Sequence, residues 1–137
     1  MKKIYYRKGS WKYQLAHDFV IDTGITGHCF YHSIFKMDSV GTLTIKSGYS
    51  WDGCSGPTWD DDTNMVAGLV HDALYQAMRL GLIPTSLRGI VDKLFLSLLT
   101  LYGMGRVRRW LYYKAVDKMA AAHVKDSRRE EIHHSPK

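Results

Sequence analysis

The apolar residues of this chain change period once, near its middle, and that change limits the folds open to it. In the first half they alternate. Trp11, Tyr13 and Leu15 are separated by Lys12 and Gln14, the period of two that a half-buried strand needs. Phe19-Val20-Ile21 continues as an apolar run, and Asp22-Thr23-Gly24 reads as a turn. Cys29 to Phe35 is a further candidate strand. Val40 to Ile45 alternates again, with Leu43 and Ile45 on one face and Thr42 and Thr44 on the other, until Ser47-Gly48 breaks it.

In the second half the spacing becomes helical. Met65, Val66, Leu69, Val70, Ala73, Leu74, Ala77 and Met78 recur at three and four residues. Gly81 and Pro84 are the stop signals of that helix, and Asp61, Asp62 or Thr63 is its expected N-cap. Ser86 is placed to cap a second helix, with Ile90, Val91, Leu94, Phe95 and Leu98 as its core stripe and Gly103 and Gly105 closing it. A third helix is predicted from Val107 to about Lys125. Strands followed by helices argue for an α+β fold with the two segregated. One domain over 1–125 and a polar tail over 126–137 fit a length of 137 residues.

Composition then excludes function classes. Hydrophobic residues are 45% and charged residues 23%, values of an ordinary packed domain. The N-terminus is basic but lacks the apolar h-region of a signal peptide. The most apolar stretch, Leu94 to Met104, is far short of the ~20 residues that span a bilayer, so no transmembrane segment is expected. Cys29 and Cys54 are too few for a zinc site, and they read either as two free thiols, the favoured reading, or as one disulfide. A net charge of +6 favours an acidic partner or a cationic solvated surface.

Three places carry groups with chemistry. His71-Asp72-Ala73-Leu74-Tyr75 lies in mid-helix. His71 and Tyr75, four apart, share a face. His71 and Asp72 diverge by roughly 100°, because a turn holds about 3.6 residues, so they do not pair with each other. Each needs its own partner: Asp72 a cation, His71 a proton to move. Asp92 sits in the most apolar helix and has two readings. It reaches His71 and fixes its tautomer, or it pairs with Arg88 four residues earlier. The loop from Gly48 to Pro57 is sharply turned, and it can aim carbonyls and Asp52 at a hard cation such as calcium, or be a rigid turn only. Asp60, Asp61 and Asp62 read as capping and solvation.

Two resemblances meet at these residues. Gly48 to Pro57, then His71-Asp72-Ala73-Leu74-Tyr75, then Val91-Asp92-Lys93-Leu94-Phe95, look like domain-of-unknown-function family 1353 (DUF1353), small proteins common in tailed phages and prophages. That resemblance implies a place in the host cytoplasm or in the virion, and it carries over no established activity. The second is local. Asp52-Gly53-Cys54-Ser55, His71-Asp72 with Tyr75, and Asp92 are similar to the calcium loop and catalytic helices of bacterial and fungal phospholipases A2. It implies His71 as general base, Asp92 as the group orienting it, and Tyr75 as a donor to that carboxylate. It also implies Ca2+ held by Asp72, Asp52 and carbonyls near Gly53, and a phospholipid or other ester as substrate. This chain departs from those enzymes in having Gly68-Leu69-Val70 where they carry a bridged cysteine, and in its β-rich front half.

The alternative is a non-enzymatic virion or tail accessory protein, or an inhibitor of a host factor. There the His/Asp network is structural, and Trp59, Trp110, Tyr112, Tyr113 and Arg109 form a contact surface for a host or virion protein. Nucleic acid, through Arg106, Arg108, Arg109 and Lys114 beside Tyr112 and Tyr113, is the less favoured partner, because an amphipathic core helix explains the same pattern.

Overall fold

A computed structural model describes residues 3–8, 13–51 and 63–115. The fold is α+β: antiparallel strands in two sheets, then three helices. The chain divides into two compact units, Met1–Gly53 and Cys54–Lys137.

The described residues of the first unit hold seven strands. A three-stranded sheet has the order β1 (Tyr6–Lys8), β2 (Tyr13–Leu15), β7 (Ser50–Trp51). A four-stranded sheet has the order β3 (Phe19–Asp22), β6 (Thr42–Ile45), β5 (Phe35–Met37), β4 (Phe30–Tyr31). All neighbours are antiparallel. The period of two sets which face is buried. Phe19 and Ile21, Leu43 and Ile45, and Phe35 and Met37 point to one side of the larger sheet, and Val20, Lys36 and Asp22 point away. Phe19-Val20-Ile21 is therefore a half-buried strand, with Val20 outside. In the smaller sheet Tyr13 faces Trp51, with ring centroids 5.6 Å apart.

Cys29 to Phe35 is not one strand. It contains β4, a tight turn at Ser33-Ile34 and the start of β5, closed by the His32 N–H donating to the Phe35 carbonyl at 2.9 Å. The turn lacks the Gly or Asn that marks most two-residue hairpins, so composition did not reveal it. The thiol of Cys29 is free and exposed, and Cys54 lies outside the described residues.

The turn between β5 and β6 is held by Asp38, whose carboxylate accepts from the N–H groups of Val40 and Thr42 at 3.1 and 2.9 Å. Gly41 follows at φ 95°, with the Ile25 backbone 2.8 Å from where a Cβ would stand. Both the positive φ and the close approach require glycine there.

The second unit is helical: α1 (Met65–Arg79), a 3-10 turn (Thr85–Leu87), α2 (Arg88–Leu101), and α3, whose described part is 106–115. Both long helices stop as the sequence signals. Gly81 at φ 75° donates to the Met78 carbonyl and Leu82 to Ala77. Gly103 at φ 93° donates to Thr100 and Met104 to Leu99. These paired bonds are Schellman ends, which satisfy carbonyls left over by the last turn.

The starts differ from expectation. The N-cap of α1 is Asn64, not Thr63, and its side chain makes no cap hydrogen bond. Asn64 is fully buried and donates instead to the Tyr112 hydroxyl at 3.4 Å. Asp61 and Asp62 lie outside the described residues. Ser86 does not cap α2, because the 3-10 turn runs directly into it and the position before the helix is Leu87. Ile90 is 52% exposed, and the buried positions of α2 are Val91, Asp92, Phe95, Leu98 and Leu99. No helix among the described residues is long and apolar enough to cross a membrane.

Gly41→Ala is expected to lower stability by roughly 2–4 kcal/mol, from a side chain at positive φ and a clash with rigid backbone. Urea unfolding of the purified variant measures this. A loss under about 0.5 kcal/mol would show that the turn relaxes freely.

Candidate functional site

The helical unit places a carboxylate where apolar neighbours carry it. Val91 and Phe95 flank Asp92 on the buried face of α2, so Asp92 turns inward with them and has 0% exposure. A carboxylate in that position costs several kcal/mol unless donors replace its water. Helix α1 supplies them. His71 Nε2 lies 2.8 Å from Asp92 Oδ1, and the Tyr75 hydroxyl donates to the same oxygen at 2.7 Å. Arg88, one turn earlier on α2, donates to Oδ2 at 3.5 Å with 37% of its side chain exposed. Both readings of Asp92 are therefore realised together: it reaches His71 and it pairs with Arg88.

The two α1 donors are there because of their spacing. Four residues apart, His71 and Tyr75 stack, with ring centroids 4.2 Å apart and planes 28° from parallel. Phe95 closes the other side of the imidazole at 5.1 Å. The Nε2 bond to a carboxylate requires Nε2 to carry a proton, so the neutral ring has its lone pair on Nδ1. Nδ1 makes no hydrogen bond among the described residues, and the His71 side chain keeps 11% of its surface exposed.

Tyr75 is held protonated. Burial, then the hydrogen bond to Asp92 and that carboxylate's charge, push its phenol far above the ordinary value of 10.0, while Arg88 pulls weakly the other way. It serves as a neutral donor at any physiological pH.

The other expected site residues are placed as follows. Asp72 follows His71 on α1 and is half-buried. Asp52 and Gly53 lie outside the described residues. Among the described residues no group of three or more His, Cys, Asp or Glu side chains is placed to hold a metal ion. Of the expected contact surface, Tyr112 is buried at 2% exposure and belongs to the core, whereas Trp110 is exposed.

A second polar cluster escaped the sequence reading. Arg108 donates to the Tyr112 hydroxyl at 2.9 Å and to Thr63 Oγ1 at 3.5 Å, and Asn64 reaches the same hydroxyl. It ties the start of α1 to α3. The available signal was Asn64 itself, a capping residue type directly before the first helical residue.

A family model described as "Protein of unknown function (DUF1353)" matches residues 24–116, a span that includes His71, Asp72, Tyr75 and Asp92. No curated protein and no solved structure matches the chain.

Asp92→Ala is expected to cost about 2–4 kcal/mol, since it strands the buried Tyr75 hydroxyl and the Nε2 proton. Arg88→Ala should cost under about 1 kcal/mol, because Arg88 is partly exposed. Urea denaturation of both variants measures the difference. The Tyr75 shift also has a defined sign. The folded chain keeps the phenol proton where the unfolded chain loses it. That stability is intact below pH 10.0 and falls above it by about 1.4 kcal/mol per pH unit. The stability gap between wild type and Tyr75→Phe should therefore narrow as pH rises above 10.0. A constant gap would mean that the phenol ionises normally.

Proposed function

The chain belongs to the DUF1353 family, and we propose that His71 and Asp92 form a general-base pair that makes this protein a small hydrolase of carboxylic esters, with phospholipid as the favoured substrate class. The observation that carries the reading is the 2.8 Å contact from Nε2 to a fully buried carboxylate, which leaves Nδ1 as the basic nitrogen.

The chemistry runs as follows. Nδ1 takes a proton from a water molecule as its oxygen bonds to the ester carbonyl carbon. Asp92 stabilises the imidazolium that forms and holds the ring in place. The tetrahedral intermediate expels the alcohol, which leaves with the proton from Nδ1. Tyr75 keeps the carboxylate from turning away and takes no part in proton transfer.

Calcium enters through the phospholipase A2 resemblance. When bound, it would polarise the ester carbonyl. Of its implied ligands only Asp72 lies among the described residues. The other implied ligands, Asp52 and the carbonyls near Gly53, lie outside the described residues, and no step above is routed through calcium.

One observation favours a second reading, in which the protein is a non-enzymatic phage accessory part or host-factor inhibitor. Asp92 is sealed at 0% exposure, and His71 is nearly so. A network that only locks α1 to α2 needs no more than that.

Hydrolysis of a phospholipid and of a short-chain nitrophenyl ester by the purified protein separates the two. The hydrolase predicts turnover that falls about 10²–10⁴-fold in His71→Ala. Absence of turnover in wild type, or full turnover in His71→Ala, ends the catalytic assignment. Melting with millimolar calcium tests the cation separately. A ligand of the folded state raises Tm, by an amount worth about 2.7 kcal/mol at a hundredfold excess over Kd. An unchanged Tm removes calcium from the reading.

A further inference from the structure

Helix α3 is built inside out along one side. Val107, Trp110, Leu111 and Lys114 are spaced by three and four residues, so they share a face. That face points to solvent: Val107 is 74% exposed, Trp110 58% and Leu111 54%. The opposite face carries Tyr112, which is buried, and Arg108, which donates inward to it. The core therefore does not account for the apolar stripe. Beside the stripe runs an open groove of about 620 Å³, lined by Leu96 of α2 and by Arg106, Val107, Arg109, Trp110 and Tyr113 of α3.

The surrounding charge says what kind of surface covers it. The unit Cys54–Lys137 carries twelve arginines and lysines against nine acidic residues, so its net charge is small and the cations matter by position. The described part of α3 carries four cations and no acid. Arg106 and Lys114 are exposed at the two ends of the stripe, and the Lys114 ammonium sits 5.9 Å from the centroid of the Trp110 ring. A second copy of the chain would bring those cations against their own equivalents, which opposes pairing. An apolar stripe with Trp at its centre and cations at its margins suits an anionic lipid interface. The apolar side chains enter the acyl boundary, Trp sits at headgroup depth, and long basic side chains reach the phosphates.

We propose that the outer face of α3, centred on Trp110 and flanked by Arg106 and Lys114, is a docking surface for anionic phospholipid bilayers. It stands apart from the hydrolase reading, because His71→Ala leaves this face intact and vesicle binding is measured without turnover.

The test is co-sedimentation of the full chain with vesicles of phosphatidylcholine alone and of phosphatidylcholine with phosphatidylserine. Wild type should partition onto the phosphatidylserine vesicles and at least about tenfold less onto the neutral ones. Arg106→Gln and Lys114→Gln should each weaken partitioning about fivefold, the effect of one cation near a charged surface. Val107→Ser with Trp110→Ser should abolish it with Tm unchanged. Should that pair melt early, Leu111→Ser alone must still weaken binding. Failure to bind anionic vesicles, equal binding to neutral ones, or indifference to these substitutions overturns the proposal. So does loss, in the same variants, of binding to single-stranded DNA or of a dimer, where wild type shows no vesicle binding.

Discussion

One carboxylate sealed between two helices sets the conditions that the rest of the helical unit meets. Asp92 faces inward because Val91, Phe95, Leu98 and Leu99 make that side of α2 the buried one. Once there, its charge has to be answered by donors at short range, or the interface would be less stable than an apolar one. Helix α1 answers with two groups on one face, His71 and Tyr75, both bonded to Oδ1. The same requirement fixes register. A slip of α2 by one turn, about 5.4 Å, would carry the carboxylate away from both donors and leave it among apolar side chains. An all-apolar interface would tolerate such a slip far better.

Much of this was legible in the sequence, and the parts that were not share a cause. The change from period two to helical spacing divides strands from helices where the structure does. Gly81 and Gly103 mark helix ends because only glycine takes the left-handed position at low cost. His71 and Asp92 could be paired because a lone acid in an apolar helix demands a partner, whereas the donor role of Tyr75 was implied only by the phospholipase A2 resemblance. The failures came where a residue type suits several local jobs. Ser86 and Thr63 are good caps in isolation, yet a 3-10 turn and a buried Asn64 occupy those places. Ile90 is apolar, but it lies off the face that Val91, Phe95, Leu98 and Leu99 bury, while Asp92 lies on it. The turn at Ser33-Ile34 is enforced by pairing of β4 with β5, which no local residue pattern reports. Tyr112 was grouped with Tyr113 and Trp110 by adjacency, although helical geometry sends it to the opposite side.

The candidate chemistry is confined to one edge of one ring. Every contact that stabilises the network uses Nε2 or a ring face: the bond to Asp92, the stack on Tyr75, the packing of Phe95. Nδ1 takes no part in them. A side chain needed only for the lock uses the first set of atoms alone, so structure and chemistry separate within the imidazole. The stability of the network and the proposed chemistry therefore draw on different atoms of the ring. The network explains why the ring is held in one orientation, which a general base also needs.

The distribution of charge in the helical unit follows from the same economy. The one buried acid among the described residues, Asp92, is matched by His71 and Tyr75 and by a partly exposed arginine. On the outer side of α3, Arg106 and Lys114 stay exposed. A surface that is cationic only for solubility has no need of Trp110, Val107 and Leu111 among those charges, and apolar groups exposed in a row are a liability in water. Their coexistence on the outer side of α3 is consistent with a surface that spends part of its time out of water. The inner side of the same helix, through Tyr112 and Arg108, holds it firmly enough to present that stripe.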